Sequence, residues 1–367
     1  MIDYDSYGPE KVLEVYHPKS GMRGFVVIDN TALGPAKGGV RMTPTVSPVE
    51  VSRLARAMTW KNALADLPFG GGKAGIVAND KHMTAEEKEE FVREFAEGLK
   101  VVCPEGYVAA PDMNMAEDEM RIFAKTIGDD KSCTGKPKDM GGLPHELGST
   151  GFGVFHATKV ACEHKGLDLK DVTFAVEGFG NVGWFVSKYM TEAGAKLVAV
   201  SDSRGVVIDE KGLDFEKLAK VKKEKKTVTE YGGNVEPSHS LKTVEADVLI
   251  TAAVPDFINA GDVDEMNFKI IIEGSNIPMV HEVEELFHKK GILVIPDFVA
   301  NSGGVISSYV EYIGGSEQDM WKMVEEKIVT NTKNVLKIAE KEGCSPRMCA
   351  MKIAKERVLK KCKICKV

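Results

Sequence analysis

The sequence has no apolar run close to the roughly 18 residues that a membrane-crossing helix needs, and no long block of one charge sign. The first absence argues against a membrane partner, the second against the basic footprint of a nucleic-acid-binding protein. The 48 basic and 55 acidic residues leave a formal charge of −7. The opening Met1-Ile2-Asp3-Tyr4-Asp5 lacks the basic and apolar regions of a secretory signal, so a cytoplasmic location is expected. Internal repeats are also missing.

In that compartment the seven cysteines should be reduced, small core residues, and disulfides are not expected. Cys344, Cys349, Cys362 and Cys365 crowd the end of the chain, and the last pair has the Cys-x-x-Cys spacing of a zinc site. The same stretch reads as a basic amphipathic helix, with Met351, Ile353, Ala354, Val358 and Leu359 apolar between lysines, which makes thiols on a helix face the alternative. No metal is assigned.

What is present suits two domains: 367 residues, 43% of them hydrophobic, can bury two cores. Short apolar runs such as Gly24–Ile28 alternate with two signalled helices, as in an α/β unit. Ser47-Pro48-Val49-Glu50 and Thr84-Ala85-Glu86-Glu87 both read as capping boxes, predicting helices to about Asp66 and to Leu99. In the second, Phe91, Phe95 and Leu99 mark the buried stripe. A glycine- and proline-rich stretch from Gly135 to Gly153 is the natural hinge. Beyond it, strand candidates Val172–Val176, Lys196–Ser201, Asp247–Ala252, Lys269–Glu273 and Ile292–Ile295 are spaced for helices between them, the pattern of a parallel doubly wound sheet. The run Lys217, Lys220, Lys222, Lys223, Lys225 and Lys226, interrupted by Glu216 and Glu224, reads as a solvated helix face.

The strand before Gly178-Phe179-Gly180-Asn181-Val182-Gly183 and the apolar helix after it give this glycine pattern its meaning. The backbone can turn tightly there and offer helix-start amides to a pyrophosphate. The alternative is an ordinary strand-to-helix turn. Asp202 ends the next strand, where a carboxylate holds a ribose 2′-hydroxyl and repels a 2′-phosphate, which favours NAD. Ser203 and Arg204 follow, a pair able to take the extra phosphate of NADP.

The stretch Lys37-Gly-Gly-Val-Arg41, Trp60-Lys61-Asn62 and Gly70-Gly71-Gly72-Lys73 sets lysines in awkward places. Lys61 falls at the edge of an inward helical face, where an ammonium is costly without an anion, unless it snorkels from the helix end. Lys73 follows three glycines that allow close approach. Asp112 ends a candidate strand, Tyr107–Ala110, from which it can project into a site or sit in a surface turn.

Taken together, Lys37–Arg41, Met58–Asn62, Leu67–Lys73, Pro111-Asp112, Thr150–Gly153, the Gly178 loop, Glu273–Asn276 and Ala300–Val305 resemble the glutamate/leucine/phenylalanine/valine dehydrogenase family. The resemblance implies an N-terminal substrate and oligomerisation domain (1–140), a Rossmann-type dinucleotide-binding domain (141–315), and C-terminal helices (316–367) packing back toward the first domain. It implies a homo-oligomer, a hexamer or another number, since the chain is shorter than typical glutamate enzymes. It also implies that Lys61 grips the substrate α-carboxylate, that Lys73 and Asp112 are the catalytic pair in a cleft between domains, and that Val305 meets substrate. Thr150, Phe179, Ala253, Asn276 and Asn301 are placed beside the cofactor. In this family glutamate enzymes carry a lysine at Lys37 and a hydroxyl at Ser308 to hold the γ-carboxylate, which leads to L-glutamate, 2-oxoglutarate and ammonia as reactants. The rival readings are a branched-chain or aromatic amino-acid enzyme and a non-catalytic dinucleotide-binding regulator.

Neighbouring ammonium groups and desolvation would bring Lys73 toward neutrality, where it can move protons. Two residues depart from the family pattern. Ala74 replaces a glycine and is expected to shift the lysine loop slightly. Glu177 replaces a glutamine and is expected to weaken cofactor binding by placing charge beside the pyrophosphate.

Overall fold

The computed structural model describes residues 1–144 and 147–365. The chain divides into two compact units, the first made of Met1–Leu147, Val305–Met320 and the chain from Lys352 onward, the second of Gly148–Gly304 and Trp321–Met351.

The first unit contains β1 (Lys11–Tyr16), β2 (Arg23–Asn30), β3 (Ala36–Lys37), β4 (Val40–Thr43), α1 (Pro48–Leu64), β5 (Gly70–Val77), α2 (Ala85–Leu99), β6 (Tyr107–Val108) and α3 (Glu117–Ile127). Its mixed sheet runs β1-β2-β5-β3-β6, with β4 also paired to β5. Thr84 closes the expected capping box with Glu87 in both directions. At Ser47 only half of the box forms: the serine accepts from the Glu50 amide, while the Glu50 carboxylate pairs with Arg41 at 2.5 Å. The α2 stripe packs on the sheet through Val92, Phe95 and Leu99, with Phe91 partly buried at its edge. Val27, Val46, Val51 and Ala55 form a separate small core that includes α1. Ala74 faces the larger core beside Val26 and Val40, so its methyl is absorbed on the side of β5 opposite Lys73.

The second unit contains α4 (Ser149–His164), β7 (Thr173–Glu177), α5 (Asn181–Glu192), β8 (Lys196–Asp202), β9 (Gly205–Ile208), α6 (Phe215–Lys225), β10 (Asn234–Glu236), β11 (Val248–Thr251), β12 (Ile270–Glu273), α7 (His281–Lys290), β13 (Leu293–Ile295) and α8 (Asp297–Ala300). Its sheet order is β10-β9-β8-β7-β11-β12-β13. The five expected strands form the parallel part, and the α/β, doubly wound fold class is as expected. The antiparallel extension β9-β10 had no counterpart among the strand candidates. The sheet interior, with Val176, Val200, Ile250 and Ile272 fully buried, explains why these strands read as continuous apolar runs rather than alternating ones. Three further helices, α9 (Gly303–Tyr312), α10 (Glu317–Glu342) and α11 (Pro346–Lys361), contribute residues to both units. Among the described residues, no helix is long and apolar enough to cross a membrane.

The cysteine expectation is corrected. Cys344 pairs with Cys349 and Cys362 with Cys365, while Cys103, Cys133 and Cys162 are free and buried. The turn into α11 brings the first pair together, and the loose turn after α11 the second. Local chain geometry sets both pairings, which a compartment argument does not register. The same bonds take the four sulfurs that zinc would have needed.

Candidate active site

Lys73 lies on β5 between two glycines that share its face of the strand. A Cβ at Gly71 would fall 2.0 Å from the Thr59 hydroxyl, and one at Gly75 would fall 2.5 Å from Val46. Their absence lets the preceding loop and α1 close over this face. The Lys73 ammonium forms an ion pair with Asp112 Oδ2, and Arg41 Nη2 approaches the same oxygen at 3.5 Å. Gly39 makes the approach possible: a Cβ there would sit 2.8 Å from Asp112 Cβ and 3.3 Å from Lys73 Nζ. Asp112 follows β6 in a tight turn and accepts the Met113 amide at 2.8 Å. Burial alone raises the Asp112 carboxyl, but Lys73 and Arg41 outweigh it and hold the group below the usual carboxylate range. Lys73 and Asp112 are paired as the sequence predicts, and Arg41 is a third member that was not among the expected site residues. Its place at the end of Lys-Gly-Gly-Val-Arg was the available signal.

Lys37, on β3, is 1% exposed and donates to the Ala109 carbonyl at 2.7 Å. Burial pushes its ammonium down to about 7, only partly opposed by Glu311. Glu311, on α9, makes a buried ion pair with Lys136 at 2.8 Å and accepts the amides of Gly135, Lys136 and Leu143. Val305 and Ser308 lie on the same helix, three residues apart and partly buried, so they share a face. Tyr309 and Tyr312 pack edge-on against Phe69 within this unit, with ring centroids 5.7 and 5.0 Å away. Lys61 is partly buried in the last turn of α1.

In the second unit, Gly178 has φ +88° and a Cβ there would meet Ala253 at 2.4 Å, while one at Gly183 would lie 1.9 Å from the Gly178 carbonyl. Only glycine permits this turn. Gly180 caps α5 without a side-chain hydrogen bond, so the first amides of Asn181, Val182 and Gly183 have no intrahelical acceptor. These features suit a pyrophosphate. Phe179 is buried beside the turn. Thr150 lies buried in the first turn of α4, and a Cβ at Gly304 would sit 3.1 Å from its hydroxyl. Asn301 donates to the carbonyls of Gly274 and Ser275 and to Asn276 Oδ1 at 3.1–3.3 Å.

Two placements differ from the sequence reading. The Glu177 carboxylate is buried and accepts the amides of Ala252, Ala253 and Val254 at 2.9–3.3 Å, so it anchors the loop after β11 instead of lying open beside a pyrophosphate. Asp202, with its side chain 6% exposed, accepts from the Arg204 amide, the Thr227 hydroxyl, Lys222 Nζ at 2.6 Å and the Val228 amide. Those donors fill the acceptor positions of a carboxylate. They outweigh the effect of burial and hold this carboxyl low. Ser203 and Arg204 are exposed. Lys222, assigned to a solvated face, is the exception in the lysine run.

A doubly wound sheet with a glycine turn defines a dinucleotide-binding fold. Residues 141–364 match the Glutamate/Leucine/Phenylalanine/Valine dehydrogenase family and residues 9–129 its Glu/Leu/Phe/Val dehydrogenase dimerisation domain. The chain belongs to this family of amino-acid dehydrogenases. It is 40% identical to a glutamate dehydrogenase of Aeropyrum pernix, over 99% of this chain and 94% of that protein. It is 36% identical to an NADP-specific glutamate dehydrogenase of Saccharolobus shibatae, over 96% and 89%. Its fold matches a hetero-hexameric glutamate dehydrogenase of Thermus thermophilus, in a leucine-bound form, with TM-score 0.86 and 27% identity over 98% of this chain and 90% of the other.

Proposed function

We propose that the protein catalyses the reversible oxidative deamination of L-glutamate to 2-oxoglutarate and ammonia with NAD or NADP. The Lys73–Asp112 ion pair beside Arg41 is the observation that supports this most. Lys37 adds a buried cation in the same unit, suited to a γ-carboxylate and unfavourable to an aliphatic tail.

In this reading Lys61 grips the α-carboxylate, Lys37 and Ser308 meet the γ-carboxylate, and Val305 packs on the methylenes between. Asp112, kept ionised by its two cations, accepts a proton from the substrate ammonium. A nicotinamide held by the second unit would supply the oxidation, as the acceptor of a hydride from Cα. Lys73 then polarises the carbon–nitrogen double bond and the attacking water, and Asp112 returns its proton to the departing nitrogen. Glutamate, oxidised cofactor and water give 2-oxoglutarate, ammonium, reduced cofactor and a proton. Assays with L-glutamate, L-leucine, L-valine and L-phenylalanine test this. Glutamate is expected to lead by about 10-fold or more in kcat/KM, whereas turnover of leucine alone overturns the role of Lys37 and no turnover overturns the reaction.

The glycine turn and open α5 amides suit the cofactor's pyrophosphate, with Thr150, Phe179, Ala253, Asn276 and Asn301 around the rest of the molecule. At its adenosine end, the engaged Asp202 carboxylate is screened by Lys222, and Arg204 and Ser203 offer donors to a 2′-phosphate. We therefore read the protein as accepting NADP as well as NAD, a departure from the simple NAD preference that an open Asp202 would impose. We further read it as a homo-oligomer. The matched dimerisation domain and the outer strand β1, whose Val12 and Tyr16 are exposed, support that reading. A monomeric mass by light scattering would overturn it.

A further inference from the structure

Arg347, in the first turn of α11, gathers three carboxylates of the second unit. Its Nε donates to Glu284 Oε1 at 2.5 Å, and its Nη2 donates to Glu273 Oε2 and Asp297 Oδ1, both at 2.9 Å. Glu273 is fully buried, with Glu284 and Asp297 nearly so. Burial and mutual repulsion push the Glu273 carboxyl well up and the Glu284 carboxyl to about 7. One cation among three buried carboxylates is a poor device for stability, since desolvation offsets the attraction.

What the cluster holds is informative. Glu273 ends β12, and its Oε2 also accepts the Asp297 amide at 2.8 Å. Asp297 opens α8, and its Oδ2 accepts the amide of Ile277 at 3.1 Å. Ile277 has φ +49°, a left-handed conformation that a β-branched residue keeps only when its surroundings impose it. Four residues beyond Asp297, Asn301 ties the carbonyls of Gly274 and Ser275. The loop 274–277 is thus fixed from one short segment, which Arg347 fixes in turn. Arg347 itself lies inside the ring closed by Cys344–Cys349.

In the sheet order, the pyrophosphate turn follows β7, Asp202 ends β8 on one side, and β11 and β12 lie on the other. Dinucleotides bind across the carboxyl ends of such strands, with the adenosine ribose at the acidic strand end. The loop after β12 therefore falls under the other half, which bears the nicotinamide.

We propose that Arg347 is a positioning residue for the nicotinamide half of the cofactor, acting through Glu273 and Asp297 on the loop 274–277. This rests on the second unit taking a nicotinamide dinucleotide. The test is direct binding to the full-length protein of NADPH and NADH, followed by fluorescence, and of 5′-AMP, which probes the adenosine half alone. Arg347→Met is expected to weaken the dinucleotides by about tenfold, a loss typical of a broken charged hydrogen bond, and to leave 5′-AMP unchanged. Arg347→Lys should recover part of the loss. Asp297→Asn gives the same pattern and serves as the second variant if Arg347→Met does not fold. Equal weakening of all three ligands, or no change in any, overturns the proposal. Failure of the unaltered protein to bind either dinucleotide removes the cofactor reading itself, and this inference with it.

Discussion

Asp112 Oδ2 lies between two cations, paired to the Lys73 ammonium and 3.5 Å from the Arg41 guanidinium. Each cation has its own task. Lys73 shares the face toward which substrate chemistry is proposed, whereas the Arg41 guanidinium is anchored through its other terminal nitrogen by Glu50 and adds standing positive potential.

Asp112→Asn keeps the shape but removes the proton acceptor. A drop in kcat of about 10² to 10⁴ is expected, with KM for glutamate little changed. Steady-state kinetics decide it, and a variant within a factor of two of the unaltered enzyme removes Asp112 from the reaction.

Arg41→Met takes away one of the two cations that depress the Asp112 carboxyl, leaving Lys73 and the Met113 amide. A depressed carboxyl is ionised, and contributes its stabilisation, above its unfolded value of about 3.9, losing it as pH falls through the lower folded value. The variant should therefore lose both stability and kcat/KM at higher pH than the unaltered protein. Coincident acid limbs would show that Arg41 does not act on Asp112.

Lys37 has the opposite sign. Its folded value of about 7 lies below the roughly 10.4 of an unfolded chain, so between these limits the unfolded state binds more protons and stability rises with pH. Replacing Lys37 by Met should stabilise the free protein by about 1–3 kcal/mol at pH 7. The gain should shrink toward pH 10, while glutamate turnover collapses. Thermal unfolding across that range measures it, and a gain that grows with pH contradicts the burial of an ammonium here.

Lys222→Met frees the Asp202 carboxylate from its ammonium partner. The ratio of kcat/KM for NADP to that for NAD is expected to fall about tenfold, as a phosphate loses a cation and meets an unscreened carboxylate. An unchanged ratio would place the 2′-phosphate elsewhere.

Seven cysteines with two disulfides leave three thiols. Thiol titration of the denatured, unreduced chain should therefore count three, and seven after reduction. A count of seven before reduction would restore the reduced state that the composition suggested.

The parts of this molecule legible from sequence are those fixed within a few residues or by a short period. The Thr84 box, the α2 stripe, the five parallel strands and the glycine turn at Gly178 all have causes that lie inside their own segments. The Gly-rich approach to Lys73 belongs with them, because a missing Cβ is visible in the sequence even when the neighbour it admits is not. Tertiary structure alone decided where three other carboxylates place their charge. Glu50 serves Arg41 rather than its own helix cap, Glu177 binds three amides of a loop 75 to 77 positions away, and Asp202 is claimed by Lys222. An ionised side chain settles on whichever donors the fold brings within hydrogen-bonding distance. That distance bears no relation to separation along the chain.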